Sequence, residues 1–208
     1  MANDLATLRG KLDVQLGDTA HEAWDQTEKE DLITWAVRGL YPRRARNMEK
    51  PIWPLDPETE DYAVPTGMRE VNRVEWAEVA TDHLVVRLPG DVWYVYGDPM
   101  ADSLTLWVSR DYTSADYYLI LHGYGVHDFT TNQIPDDYVP LVLAKARAEA
   151  YRRMAADRAR FEQWLSSNQT QNMSVNELLQ LIQDADDQAA RLDRMLPRTQ
   201  RLPVPGRQ

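Results

Sequence analysis

The 208-residue sequence predicts an α+β fold: a helical body, an inserted antiparallel β-sheet or sandwich, and an extended C-terminal tail. Three observations predict it. Apolar residues recur at helical spacing near both ends of the chain, the spacing drops to two across its middle, and the last residues are rich in proline and arginine. The expected segments are two short helices in 1–48, a β domain in 49–134, two long helices in 135–196 and a docking tail at 197–208.

Asp4 is placed to cap the first helix, which carries Leu5, Leu8 and Leu12 on one side and ends at Gly17 and Asp18. Thr27 and Glu30 have the spacing of a capping box, in which hydroxyl and carboxylate each satisfy a free backbone N–H. Leu32, Ile33, Ala36, Val37, Leu40 and Tyr41 follow on one face until Pro42 stops the helix. The RRAR run at 43–46 then places cations near its negative dipole end, as a solvated terminus or as an anion or partner contact.

From Lys50 to Pro65 the chain is dense in proline and acid and reads as an ordered connector anchored by Trp53 and Tyr62. After it the periodicity changes. Val71, Val74 and Trp76 fall in one short run; in the next, His83, Val85 and Arg87 alternate with Leu84, Val86 and Leu88, as in a half-buried strand. Pro89-Gly90-Asp91 turns the chain. VWYVYG at 92–97, SLTLWVS at 103–109 and YYLILHGYG at 117–125 complete an antiparallel sheet of at least four strands.

Pro135, Asp136, Asp137 and Pro140 mark a return to helix, expected to run to Leu165. Leu141, Ala144, Ala148, Tyr151, Met154 or Ala155, Arg158 and Phe161 line one side, and the alanines would let another helix approach closely. Lys145, Arg147, Arg152, Arg153 and Arg160 form a basic opposite face, open to solvent, to an acidic neighbour or to DNA. SSNQTQNMS at 166–174 reads as a flexible linker. Ser174 and Glu177 make a second capping box, opening a helix with Val175, Leu178, Leu179, Ile182, Ala185, Ala189, Leu192 and Leu196, a face apolar enough to need a partner. Pro197, Pro203 and Pro205 then hold the tail extended, with Leu202 and Val204 as anchors that could order on a partner surface.

Composition narrows the function. Two Phe against seven Trp and ten Tyr give aromatic area with polar handles, suited to half-buried and interface positions. A net charge of −10 argues against broad nucleic-acid binding by the body, because phosphate binding needs clustered cations. With no cysteine there is neither disulfide nor thiolate metal site. No run is long and apolar enough to span a bilayer, and MANDLATLRGKL lacks the pattern of a signal peptide, so synthesis is expected in the cytoplasm with no membrane partner.

Chemistry is sparse. His122-Gly-Tyr-Gly-Val-His127-Asp128 offers two imidazoles and a carboxylate, but without a metal-ligand spacing such as H-E-x-x-H. The GYG is not a phosphate loop, Ser103, Ser109 and Ser114 lack a nucleophile-elbow setting, and no two carboxylates pair as acid and base. No catalytic residue, metal or cofactor is therefore expected, and the chain reads as a structural part.

LATLRGKLDVQLGD, followed after a gap by TEKEDLITWAVRGLYPR, resembles the opening of the head-to-tail adaptor, or connector, proteins of tailed bacteriophages. DYAVPTGMREVNRVEW at 61–76 is similar to the start of the β region of longer adaptors, and the Ala/Arg-rich helix after IPDDYVP to their return to the helical body. The resemblance implies a virion protein of the neck: a ring, a dodecamer, that docks beneath the portal protein, extends the DNA channel without sequence-specific contact, and meets a downstream neck or tail protein. It would place subunit contacts on Leu141, Ala148, Tyr151, Phe161, Leu178, Leu179, Ile182 and Leu192. Portal docking would fall to Leu202, Pro203, Val204 and Pro205, with Arg198 and Arg201 beside them. Two other readings stay open: a stopper or tail-terminator ring, and a carbohydrate-binding module or glycan-active enzyme using Trp93, Tyr94, Tyr96 and Trp107 as stacking platforms.

Overall fold

Asp4 accepts the backbone N–H of Thr7 at 2.7 Å and starts α1 (Leu5–Leu16), which Gly17 ends in the left-handed conformation open to glycine. The computed structural model describes residues 3–43, 45–78, 85–99, 101, 103–127, 129, 134–167 and 173–198. It forms two units, one from the residues up to Leu40 with His127–Arg198, the other from Tyr41–Val126.

In the helical unit, α2 (Gln26–Arg38) is capped by Asp25 and Glu28, two residues before the expected Thr27 and Glu30. The reason lies upstream. The Asp18 carboxylate accepts the N–H groups of Glu22, Ala23 and Trp24 at 2.9, 3.2 and 3.1 Å, which folds the connection tightly and brings Asp25 to the cap. Lys29 is wholly buried one turn later. Its ammonium lies 2.7 Å from Asp13 Oδ1 and 2.9 Å from Asp18 Oδ2, donates to the Asp18 carbonyl at 2.6 Å, and meets His21 Nδ1 at 2.9 Å. This buried pairing joins α1, the connection and α2. The second helix stops at Arg38, before Pro42, and Lys145 Nζ takes up the Gly39 carbonyl at 3.2 Å.

A 3-10 turn at Asp136–Tyr138 leads into α3 (Val139–Ala156), which is buried on nearly every side through Tyr151 and packs against α1 and α2. The single helix expected to Leu165 is broken. Asp157 adopts extended backbone (φ −125°, ψ 99°), and its carboxylate accepts the N–H of Arg160 at 3.2 Å at the start of α4 (Arg158–Ser167). Aspartate favours such local capping over helix interior. After the break, Trp164 donates to the Leu16 carbonyl at 2.8 Å and its ring meets Tyr151 and Phe161. The last helix, α5 (Val175–Met195), begins at the Ser174/Glu177 capping box and lies along α3.

The other unit holds β1 (Arg46–Ile52), β2 (Asp61–Ala63), β3 (Met68–Glu78), β4 (Val85–Arg87), β5 (Trp93–Tyr96), β6 (Thr105–Val108) and β7 (Tyr117–Gly125). All pairings are antiparallel, in sheets ordered β1-β7-β3-β4 and β2-β6-β5. Two strands therefore stand where a connector was expected, and Arg46 belongs to a strand rather than to a helix end. Pro51 is tolerated because β1 is an edge strand, with one side of its backbone free of ladder bonds. Met48, Val71, Val74, Leu119 and Leu121 from the larger sheet share one core with Tyr62, Leu106 and Val108 from the smaller. β4 departs from the expected alternation, with Val85, Val86 and Arg87 all exposed; His83 and Leu84 lie outside the described residues.

The glycines of GYG serve packing. A side chain at Gly123 would collide with the Glu70 carbonyl, and one at Gly125 with Met48 and the Gly67 carbonyl, where β3 is bulged against β7.

Lys29→Ala is expected to cost about 3–5 kcal/mol in urea unfolding, because it strands two carboxylates; a loss under roughly 1 kcal/mol would sink that account. Gly123→Ala is expected to destabilise by about 1–3 kcal/mol through overpacking, and an unchanged midpoint would contradict the close approach.

Candidate interaction surfaces

The sequence-predicted basic face of α3 is consumed within the chain. Arg152 Nη2 lies 2.5 and 2.6 Å from the two carboxylate oxygens of Asp186 on α5, and Arg147 donates to Gln188 on the same helix. Arg153 pairs with Glu149 at 3.3 Å, Lys145 caps α2, and Arg160 on α4 pairs with Glu28 at 2.7 Å. Lys145, Arg147, Arg152 and Arg160 thus join helices of one chain, while Arg153 pairs within α3. They do not present a basic stripe.

The residues predicted as subunit contacts divide in two. Leu141, Ala148, Tyr151, Phe161 and Leu178 are buried within the helical unit, and Ile182 and Leu192 are partly buried against its core. Burial in the chain's own core takes the first five off the surface open to a neighbour. Periodicity found the apolar stripe, but one stripe serves both packing inside a chain and packing between chains. Leu179 remains outside at 52% exposure, beside Val175 at 56% one turn earlier. Leu178, Ala185 and Ala189 point into α3, so α5 buries one side and leaves an apolar flank along its first turns. Arg198 is exposed; Arg201, Leu202, Pro203, Val204 and Pro205 lie outside the described residues.

The two outer faces of the β unit differ. On the larger sheet His122 stands between Glu75, 2.8 Å from Nε2, and Arg73 and Glu49, 3.1 and 3.5 Å from Nδ1. Register explains the meeting, since Glu49 and Arg73 are the cross-strand partners of His122. His127 stacks edge-on against Tyr138 in the helical unit, and Asp128 lies outside the described residues. The His122–His127–Asp128 segment therefore does not form a ligand set, and no metal-binding cluster occurs among the described residues.

The smaller sheet carries aromatics outward. Alternation along β5 turns Trp93 and Val95 toward the core and leaves Tyr94 and Tyr96 outside, at 53% and 45% exposure. On β6, Leu106 and Val108 are buried and Trp107 faces out opposite Tyr94. The Tyr94 and Trp107 rings stack at 5.0 Å between centroids, and the Tyr94 and Tyr96 rings are 5.9 Å apart. So Tyr94, Tyr96 and Trp107 form a row that Trp93 does not join. Trp107 Nε1 donates to Glu60 at 3.1 Å. Tyr96 bonds Asp61, and its phenol is pushed above its ordinary value by desolvation, then by that hydrogen bond and the charge of Asp61. No local spacing marks Glu60 and Asp61 as members of this surface, because their proximity depends on β2 pairing with β6.

No known protein family matches the chain, and no curated protein matches it.

Asp61→Asn is expected to bring the Tyr96 ionisation down toward the ordinary phenol value, about 10, read from the ring-carbon NMR signal of labelled tyrosine. An unmoved titration would show that Asp61 does not act on the ring.

Proposed function

We propose that this chain is a structural subunit of a tailed-bacteriophage neck: a head-to-tail adaptor that forms a ring beneath the portal, continues the DNA channel and joins capsid to tail. The observation that carries the reading is the two-sided α5. A surface helix of a self-sufficient unit buries its apolar stripe and leaves polar residues outside; α5 buries Leu178, Ala185 and Ala189 yet keeps Val175 and Leu179 in solvent. An apolar flank beside a seam already filled suits side-by-side packing of identical subunits around an axis, a heterologous contact that closes into a ring.

The order of parts supports the same reading. The helical body is made from both ends of the chain with a β sandwich inserted between them, as the resemblance implies. Charge agrees as well. The α3 arginines are paired internally, while the chain as a whole carries −10, so its surface repels phosphate and DNA can slide through a channel without being gripped.

Native mass by light scattering, on the chain alone and mixed with a portal ring, tests the proposal. Saturable co-assembly matching the portal's symmetry is the expected result. A chain indifferent to portal would reject the adaptor role in favour of another neck ring, and a monomer with glycan affinity would replace the structural reading. Val175→Glu with Leu179→Glu is expected to abolish self-association while leaving the circular dichroism spectrum and unfolding midpoint near those of the parent; assembly unaffected by both charges would remove α5 from the interface.

A further inference from the structure

The row of Tyr94, Tyr96 and Trp107 is a surface that ring packing through α5 leaves unassigned. Its chemistry is one-sided. Aromatic faces carry negative potential, and two carboxylates stand at this row's edge. Glu60 and Asp61 each hold an aromatic polar hydrogen, and neither is in an ion pair among the described residues. Each keeps its charge and further acceptor positions. The nearby Arg110 is engaged with Glu58 through that residue's carbonyl at 3.3 Å. Such a surface selects a cation, and a guanidinium above an ammonium, because a planar fork stacks on a ring and binds a carboxylate at once.

One segment of the chain has that chemistry. Arg198, Arg201 and Arg207 lie within the last twelve residues, which contain no acid, and Pro197, Pro203 and Pro205 favour an extended backbone. Extended proline-bearing segments are bound on aromatic surfaces in a recurring recognition mode. Residues 199–208 have a reach of roughly 31 Å when extended. That is about the diameter of a small domain, enough to cross to an adjacent copy.

We propose that the 197–208 segment of one copy docks on the Tyr94, Tyr96 and Trp107 face of a second copy, its arginines on Glu60 and Asp61. The inference rests on the ring reading for the presence of that second copy. It gives the tail a neighbour within the ring in place of the portal surface that the resemblance implies, so each subunit is strapped to the next.

Photocrosslinking of the full chain tests it. Benzoylphenylalanine replaces Tyr94, whose exposure spares the core, in an isotopically heavy copy mixed with a light unaltered one. The expected product joins the heavy Tyr94 site to light 197–208. Glu60→Lys with Asp61→Lys should lower its yield about tenfold, and a light chain carrying Arg198→Glu, Arg201→Glu and Arg207→Glu should restore it. Heavy-to-heavy products alone would assign the face to the chain's own tail, and tail crosslinks to portal alone would assign the tail there; either overturns the proposal. A ring seen by light scattering without the tail product rejects the strap and leaves the ring reading intact. A monomer without it rejects both.

Discussion

The helical unit depends on α3 being buried from almost every side. Ala144, Ala146, Ala148 and Ala150 keep the helix slender enough for its neighbours to pack closely, and Leu141, Val142 and Leu143 fill the space between them. A helix in that position has little solvent face, and its exposed charges, Arg152 and Arg153, sit near its end. Its cations must reach past the packed surface and find partners there, as Lys145 does at the end of α2 and Arg152 at Asp186. Exposed pairs of this kind contribute at most about 1 kcal/mol each, so apolar burial holds the helices together. The Arg152–Asp186 pair, with Nη2 2.5 and 2.6 Å from the two carboxylate oxygens, ties α5 to α3 at one point along their seam.

The same constraint separates what was legible in the sequence from what was not. Local signals were read correctly where local forces decide: Asp4 caps α1, Gly17 ends it, and the Ser174/Glu177 box opens α5. Signals failed where a distant group competed. Thr27 and Glu30 have a good capping spacing, but the Asp18 carboxylate organises the preceding turn and places Asp25 at the cap first. The single helix expected to Leu165 breaks at Asp157, and Trp164 beyond the break donates to the Leu16 carbonyl. The basic face of α3 is exposed at Arg152 and Arg153, as a solvated face is, but its partners Gln188 and Asp186 lie more than thirty residues away and carry no local signal.

In the β unit, alternation disclosed strands but not which of their two faces is wet. Trp93 and Tyr94 are adjacent aromatics with opposite fates, decided by the pairing of β5 with β6 and the side on which Leu106 and Val108 meet the core. Grouping Trp93 with the exposed row ignored that period. The strands β1 and β2 were hidden for another reason: edge strands tolerate proline and polar residues, so neither carries the apolar repeat that marks a central strand such as β7. The outward rows then differ in kind. His122 on the larger sheet is surrounded by charges of both signs and is internally satisfied, whereas Glu60 and Asp61, at the edge of the smaller sheet, meet neutral aromatic donors and no cation among the described residues.

That contrast bears on how an acidic chain could associate at all. A chain carrying −10 repels its copies at long range, and the exposed flank of α5 is short. A single contact of that size has little surplus to set against the freedom lost on association. A second, electrostatically opposite contact changes the balance, because once either contact forms the other becomes intramolecular and benefits from a high effective concentration. Closure multiplies the effect, since the final subunit of a ring makes both kinds of contact on both sides. Under the ring reading, then, free chains stay apart at low concentration, and assembly becomes favourable when a symmetric template gathers several of them. On that reading the division of labour is physical: apolar area on a helix would supply adhesion, and charge on a sheet would select the segment that docks on it.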